Sequence, residues 1–147
     1  MLEISTSDFL LDTNVLSEWV KPLPDAGVVE WLEEVDEDRV RLSVASFAEV
    51  RHGIERMSPG SRRERLAIWL HDELPARFEG RLLDIDRAVA QWWGILMADA
   101  RRAGRGLSVM DGFFAATAKH YDLTLVTRNV RDFQSAGIAL LNPWRTP

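Results

Sequence analysis

The run Phe9-Leu10-Leu11-Asp12-Thr13-Asn14 limits the folds open to this chain more than any other stretch. Three apolar residues read as a short buried strand, a carboxylate stops it, and Val15, Leu16, Trp19 and Val20 follow at helical spacing. A strand that turns at once into a helix begins a βα unit. In parallel α/β sheets, ligands and catalysis gather just beyond the carboxyl ends of the strands. Asp12 is expected at that edge, and near the middle of the sheet if its strand is central. An ordinary role is open to it as well, because Asp, Thr and Asn all accept hydrogen bonds from the free N–H groups that begin a helix.

The rest of the chain repeats the alternation. Lys21-Pro22-Leu23-Pro24 breaks the first helix, and Asp25 caps a second with Val28, Trp31, Leu32 and Val35 on one face. Residues 39–44 alternate apolar and polar, as a strand does, and run into a helix whose stripe is Phe47, Val50, Ile54 and Met57. Glu49 lies on the flank of that stripe, where it faces either the strand ends or water. Residues 61–78 read as a helix that Pro75 ends or kinks. With the helix before it, this segment makes a helical hairpin beside the sheet.

A third strand is expected at 82–85, followed by a helix that Asp86 caps and Arg101-Arg102-Ala103-Gly104-Arg105-Gly106 closes. Basic side chains suit a helix C-terminus, and this cluster is also a candidate for phosphate contacts. Trp92 and Trp93 read as core or as a surface for a second copy. Ser108 and Asp111 fit a capping box at the start of the next helix, whose small residues allow it to lie close on the sheet. A fourth strand is expected at 123–127 and a fifth at 138–141. The whole is expected to be one domain over 1–147: an α/β fold with a mostly parallel central sheet of about five strands, flanked by helices.

Composition removes several chemistries. The 147 residues contain no cysteine, which rules out disulfides, thiolate metal sites and cysteine nucleophiles and suits a reducing cytoplasm. A metal would need oxygen or imidazole ligands, and neither His52 nor His71 has a partner at ligand spacing. No basic segment followed by an apolar one is read at the N-terminus, and no apolar run is long enough to span a bilayer. The net charge of −5 divides unevenly, with −9 over residues 1–50 and +4 over the remainder. A nucleic acid would therefore be held by a local basic surface from the second part.

Four acids fall just beyond a strand or near the start of a following helix: Asp12, Glu49, Asp111 and Asp132. Each has a structural role open to it, as cap or solvated surface group. Brought to one edge without a cation they would repel, raising pKa values. A hard divalent cation relieves that repulsion, and Mg²⁺ or Mn²⁺ prefers such oxygen ligands.

Taken in order, Leu10-Leu11-Asp12-Thr13-Asn14, Ser46-Phe47-Ala48-Glu49-Val50, Asp111 with Ala115-Ala116-Thr117-Ala118, and Thr127-Arg128-Asn129-Val130-Arg131-Asp132-Phe133 resemble the PIN-domain nucleases. They resemble most the VapC/FitB-type toxins of bacterial toxin–antitoxin pairs. The resemblance implies a PIN-like fold and an acidic Mg²⁺ or Mn²⁺ site of Asp12, Glu49, Asp111 and Asp132. Asn14 and Thr127 would support that site through hydrogen bonds, and Asn129 would orient the last turn. It further implies hydrolysis of RNA, a homodimer and a small antitoxin protein that blocks the site. Arg51, Arg102, Arg105, Arg128 and Arg131 are candidates for contacts with RNA.

Other readings meet specific obstacles. An aspartyl-nucleophile phosphatase needs a second acid two residues after the first, where this chain has Asn14. A receiver domain needs an early acidic pair, which Asp8 and Asp12 do not form, and a late lysine after a strand, whereas Lys119 falls within a helix. Ser–His–Asp chemistry has no nucleophile elbow to support it. A PIN-fold module that binds RNA or protein without cleaving is the remaining alternative, and metal binding discriminates it.

Overall fold

A computed structural model describes residues 7–146. The reading of the N-terminus falls partly on residues 1–6, which lie outside the described residues. Five strands form one sheet: β1 (Phe9–Leu11), β2 (Val40–Ser43), β3 (Leu82–Leu83), β4 (Thr124–Val126) and β5 (Leu140–Leu141), in spatial order β3-β2-β1-β4-β5. Every pairing is parallel, so the expected mostly parallel sheet is wholly parallel among the described residues. β1 is central, with Phe9 opposite Val40 on one side and Thr124 on the other.

Helices cover both faces, as an all-parallel sheet requires. Period-two alternation sends Leu10 and Leu125 into one apolar cluster and Leu11 and Val126 into the other. The first cluster packs under α6 (Arg87–Arg102) and α7 (Val109–Tyr121), where Ala115, Ala116 and Ala118 are buried and bring α7 close to the strands. The second packs under α1 (Thr13–Trp19), α2 (Ala26–Glu34), α3 (Val44–Glu55), α4 (Ser61–Ile68) and α5 (Leu74–Arg77), around Val15, Leu16, Val28 and Ile54. A short α8 (Val130–Phe133) follows β4 and buries Phe133.

Capping sets the boundaries. Asp25 Oδ1 accepts from Gly27 and Val28 N–H at 2.8 and 3.2 Å, and Asp86 Oδ1 accepts from Val89 N–H at 3.0 Å. Ser108 Oγ accepts from Asp111 N–H at 3.1 Å. Pro75 does not end its helix. A π-helical turn over Trp69–Glu73 joins α4 to α5, and the chain stays helical to Arg77. Pro75 has no N–H to give, and the wider turn before it absorbs the lost bond. No helix among the described residues is long and apolar enough to cross a membrane.

Candidate metal centre

The chain leaves β1 toward β2 on one side of the sheet and later returns to β4 on the other, so the order reverses between β1 and β4. Open α/β sheets bind their ligands in the crevice outside the carboxyl ends of the strands at this reversal. Here a hydrogen bond joins the two strand ends. Thr127, the residue after β4, donates its hydroxyl to Asp12 Oδ2 at 2.7 Å, and Asp12 is the residue after β1. The same hydroxyl oxygen accepts from Asn14 Nδ2 at 3.3 Å and from Asn129 N–H at 3.0 Å. Its one donor and two acceptor positions are thus filled, which fixes the carboxylate it serves. Asp12 also caps α1, with Oδ1 accepting from Thr13 N–H at 2.7 Å, so the capping role and the site role coexist in one side chain.

Thr13 brings Glu49 to the same place. Its hydroxyl donates to Glu49 Oε1 at 2.6 Å, and the buried Ser46 hydroxyl, 2.9 Å from Thr13 Oγ1, completes the chain of bonds. Glu49 therefore faces the strand ends and not bulk water. Asp12, Asn14, Glu49, Asp111 and Asn129 all line one cleft of about 340 Å³. Asp132 does not line it. It is exposed on α8, and its charge acts on Asp111.

The electrostatics are those of crowded acids. Burial pushes the Asp12 carboxyl up to about 6; hydrogen bonds from Thr127 and Thr13 work against this, and the charges of Asp111 and Glu49 add to it. Burial likewise lifts Asp111 above the usual carboxylate range. The Ser108 hydroxyl opposes that rise, and the charges of Asp132 and Glu49 reinforce it. The four acids singled out in the sequence are thus one electrostatic group.

A hard divalent cation fits this donor set. The side-chain ligands available are carboxylate and amide oxygens, and Asn14 Oδ1 is buried without a hydrogen-bond partner among the described residues. No three acidic or histidine side chains among the described residues stand close enough to grip an ion directly between them. An ion in the cleft would therefore take few direct ligands from these side chains and would need waters to complete its shell, as Mg²⁺ commonly does.

Of the arginines considered for RNA, only Arg128 borders the cleft. Arg51 pairs with Glu55 at 3.3 Å and Arg102 with Asp99 at 2.7 Å, Arg105 lines a separate pocket at the end of α6, and Arg131 is exposed. The sequence reading did not single out four further members of the site. Thr13 and Ser46 tether Glu49, Glu18 is buried at the cleft wall and paired with Lys21 at 2.9 Å, and Trp144 forms another part of the wall. Only Thr13 carried a local signal, its place between Asp12 and Asn14.

An all-parallel α/β fold with an acidic cleft at its strand reversal defines the class of protein. Residues 9–138 match the PIN domain, and the chain belongs to the PIN-domain family. It is 37% identical to Toxin FitB of Neisseria gonorrhoeae across 92% of this chain and 97% of that protein. It is 35% identical to the VapC ribonuclease Y4jK of Sinorhizobium fredii, across 92% and 96% respectively. Among solved structures, it superimposes on FitAB bound to an IR36 DNA fragment with a TM-score of 0.88 and 34% identity, covering 95% of this chain and 97% of that one.

Proposed function

We propose that this chain is a metal-dependent endoribonuclease and the toxin component of a bacterial toxin–antitoxin pair. The observation that carries this reading is the Asp12–Thr127 bond across the strand reversal, with Glu49 and Asp111 facing the same cleft. The likeness to a protein named as a VapC ribonuclease and to Toxin FitB supports it. Asp12, Glu49, Asp111 and Asp132 would hold Mg²⁺ or Mn²⁺. When bound, the ion neutralises charge developing on the phosphodiester and makes a water more acidic.

The chain's own groups do the remainder. Thr127 and Thr13 N–H hold both oxygens of Asp12 in fixed directions, and Thr13 Oγ1 occupies only one oxygen of Glu49. One carboxylate of the set accepts the proton of the attacking water. In-line attack at phosphorus then forms the new P–O bond and breaks the bond to the 3′ oxygen, which takes up a proton from solvent, leaving a 5′-phosphate and a 3′-hydroxyl. The partners in this reading are an RNA substrate, a cognate antitoxin protein and a second copy of the chain in a homodimer. The FitAB complex supports the protein partner.

The test is incubation of purified protein with total RNA in Mg²⁺, in Mn²⁺ and in EDTA, beside Asp12→Asn. Cleavage that needs metal, vanishes in Asp12→Asn and stops on adding a cognate antitoxin is the expected result. A folded wild-type chain that binds RNA and never cuts it overturns the nuclease reading and leaves a binding module.

A further inference from the structure

We infer that the loop closing α6, residues 101–107, holds the phosphate backbone of an RNA strand leading from the acidic cleft, with Arg101 and Arg105 as the phosphate contacts. This rests on the reading of the cleft as an RNA site.

The loop is placed by the two helices it joins. Gly104 turns the chain at a φ of 69°, in the left-handed region, and Arg105 N–H donates to Ala100 O at 2.9 Å, which closes the last turn of α6. Leu107 is buried and pins the far side of the loop. Ser108 then caps α7, whose first turn carries Asp111. Met97 on α6 faces Gly112, the neighbour of Asp111, since a Cβ on Gly112 would be 2.7 Å from Met97 Sδ. Arg101 is one turn nearer the loop, about 6 Å along the helix. Arg105 comes six residues before Asp111, so the two lie within about 20 Å of each other. Met97 also lines a pocket of about 590 Å³, with Ala98, Arg101, Gly104, Arg105 and Leu107. One wall of this pocket thus touches the residue beside a cleft acid, and another carries two arginines.

Charge singles out this loop. Residues 101–106 hold three arginines and no acid. Arg102 turns to Asp99 at 2.7 Å, while Arg101 and Arg105 have no acid within ion-pair distance among the described residues, and both are exposed. A helix C-terminus favours cations over its last turn alone. That accounts for Arg101 but not for Arg105, which stands beyond the turn at Gly104. The cleft has the opposite character, with the carboxylates of Asp12, Glu18, Glu49 and Asp111 in its lining. A metal ion there would offset the charge at the phosphate being cut. The next phosphates of the same strand need cations that lie outside the acids. Two guanidinium groups beside one open pocket, within a few nucleotides of the cleft, supply them, and the fork of donors on each suits a phosphate.

Binding is read by fluorescence anisotropy of a labelled random ten-nucleotide single-stranded RNA pool, at one fixed Mg²⁺ concentration and with the Asp12→Asn chain as parent. In the double variant Arg101→Gln/Arg105→Gln, the slope of log K against log salt is expected to fall by about 1.4, as two lost phosphate contacts require, and affinity by about 25-fold at 0.1 M salt. Arg101→Lys/Arg105→Lys keeps both charges and is expected to keep the slope of the parent. Arg87 is exposed at the other end of α6, about 20 Å from Arg101 along the helix, and Arg87→Gln is expected to leave the slope unchanged. A fall in Arg87→Gln equal to that of one lost contact would mean a response to net charge, and overturns the track. An unchanged slope in the double variant overturns it too. If that variant instead alters the oligomeric state in sedimentation, the loop belongs to a contact between copies of the chain. Thermal unfolding checks each fold; should the double variant not fold, Arg105→Gln decides, with an expected fall of about 0.7. No RNA binding by the parent overturns the track as well. Wild-type cleavage of total RNA keeps the two readings apart. Cleavage with variant-insensitive binding sinks the track alone, and variant-sensitive binding without cleavage sinks the nuclease alone.

Discussion

Asp12 is held by its neighbours in a position its charge resists. Its carboxyl titrates near 6 in the fold against 3.8 when unperturbed, because burial disfavours the charged form more than the bonds from Thr127 and Thr13 favour it. The sign of the stability effect follows. Below about pH 4 the group is protonated folded and unfolded, and it contributes no difference. Between about pH 4 and 6 the unfolded chain loses its proton first, so stability falls as pH rises. Above that window a penalty of about 3 kcal/mol persists. Asp12→Asn removes the charge, so the metal-free variant is expected to resist urea better than wild type at pH 7 and to lose that advantage at pH 4. Urea unfolding at both pH values measures this. A less stable variant at pH 7 would mean that the bonds from Thr13 and Thr127 to the carboxylate outweigh its burial.

Asp111 owes its position to the packing of two helices. Trp93 on α6 donates its indole N–H to Val109 O at 3.1 Å and stacks on Phe113 with centroids 5.4 Å apart, gripping the first turn of α7 on both sides of Asp111. Gly112 makes this possible, since a Cβ there would lie 2.7 Å from both Met97 Sδ and Trp93 Nε1. Gly112→Ala is therefore expected to destabilise the chain by about 2 kcal/mol, despite the better helix propensity of alanine. Gly94 sits inside α6, and a Cβ there would meet nothing within 4 Å, so Gly94→Ala is expected to stabilise by about 0.5–1 kcal/mol. Equilibrium denaturation of the pair distinguishes close packing from propensity, and equal shifts in one direction would count against the Trp93 grip. The helix limits themselves were legible beforehand, because Asp25, Asp86 and Ser108 each cap within their own next few residues.

The fold gathers the charge that the chain spreads out. Acids from three separate segments, Asp12, Glu49 and Asp111, line one cleft at the end of a sheet whose central strand is β1, with the charge of Asp132 acting on Asp111, and their mutual repulsion is a cost a bound cation would relieve. Ligands that bind the native state alone raise its stability. Mg²⁺ is expected to raise the melting temperature by a few degrees, EDTA to reverse this, and Asp12→Asn to abolish the shift. Differential scanning calorimetry reads all three, and a Mg²⁺-independent transition in wild type would count against the metal centre.

Strands, helices and caps were readable along the chain because periodicity and capping act over a few residues. Asp12, Glu49 and Asp111 could be picked out beforehand because each lies just beyond a strand or near the start of a helix, and all three line the cleft, whereas Asp132, expected with them, is exposed on α8. The reach of Glu49 was not legible, since Thr13 holds it from 36 positions away. Neither was the bond from Thr127 to Asp12 across 115 positions, although both residues had been expected near the site. The tie from Arg145 N–H to Asp25, 120 positions earlier, beside the Trp144 that lines the cleft, left no mark in any local pattern. Contacts of that span depend on which strands become neighbours, and parallel pairing between distant segments is decided when the two apolar faces of the sheet are buried together.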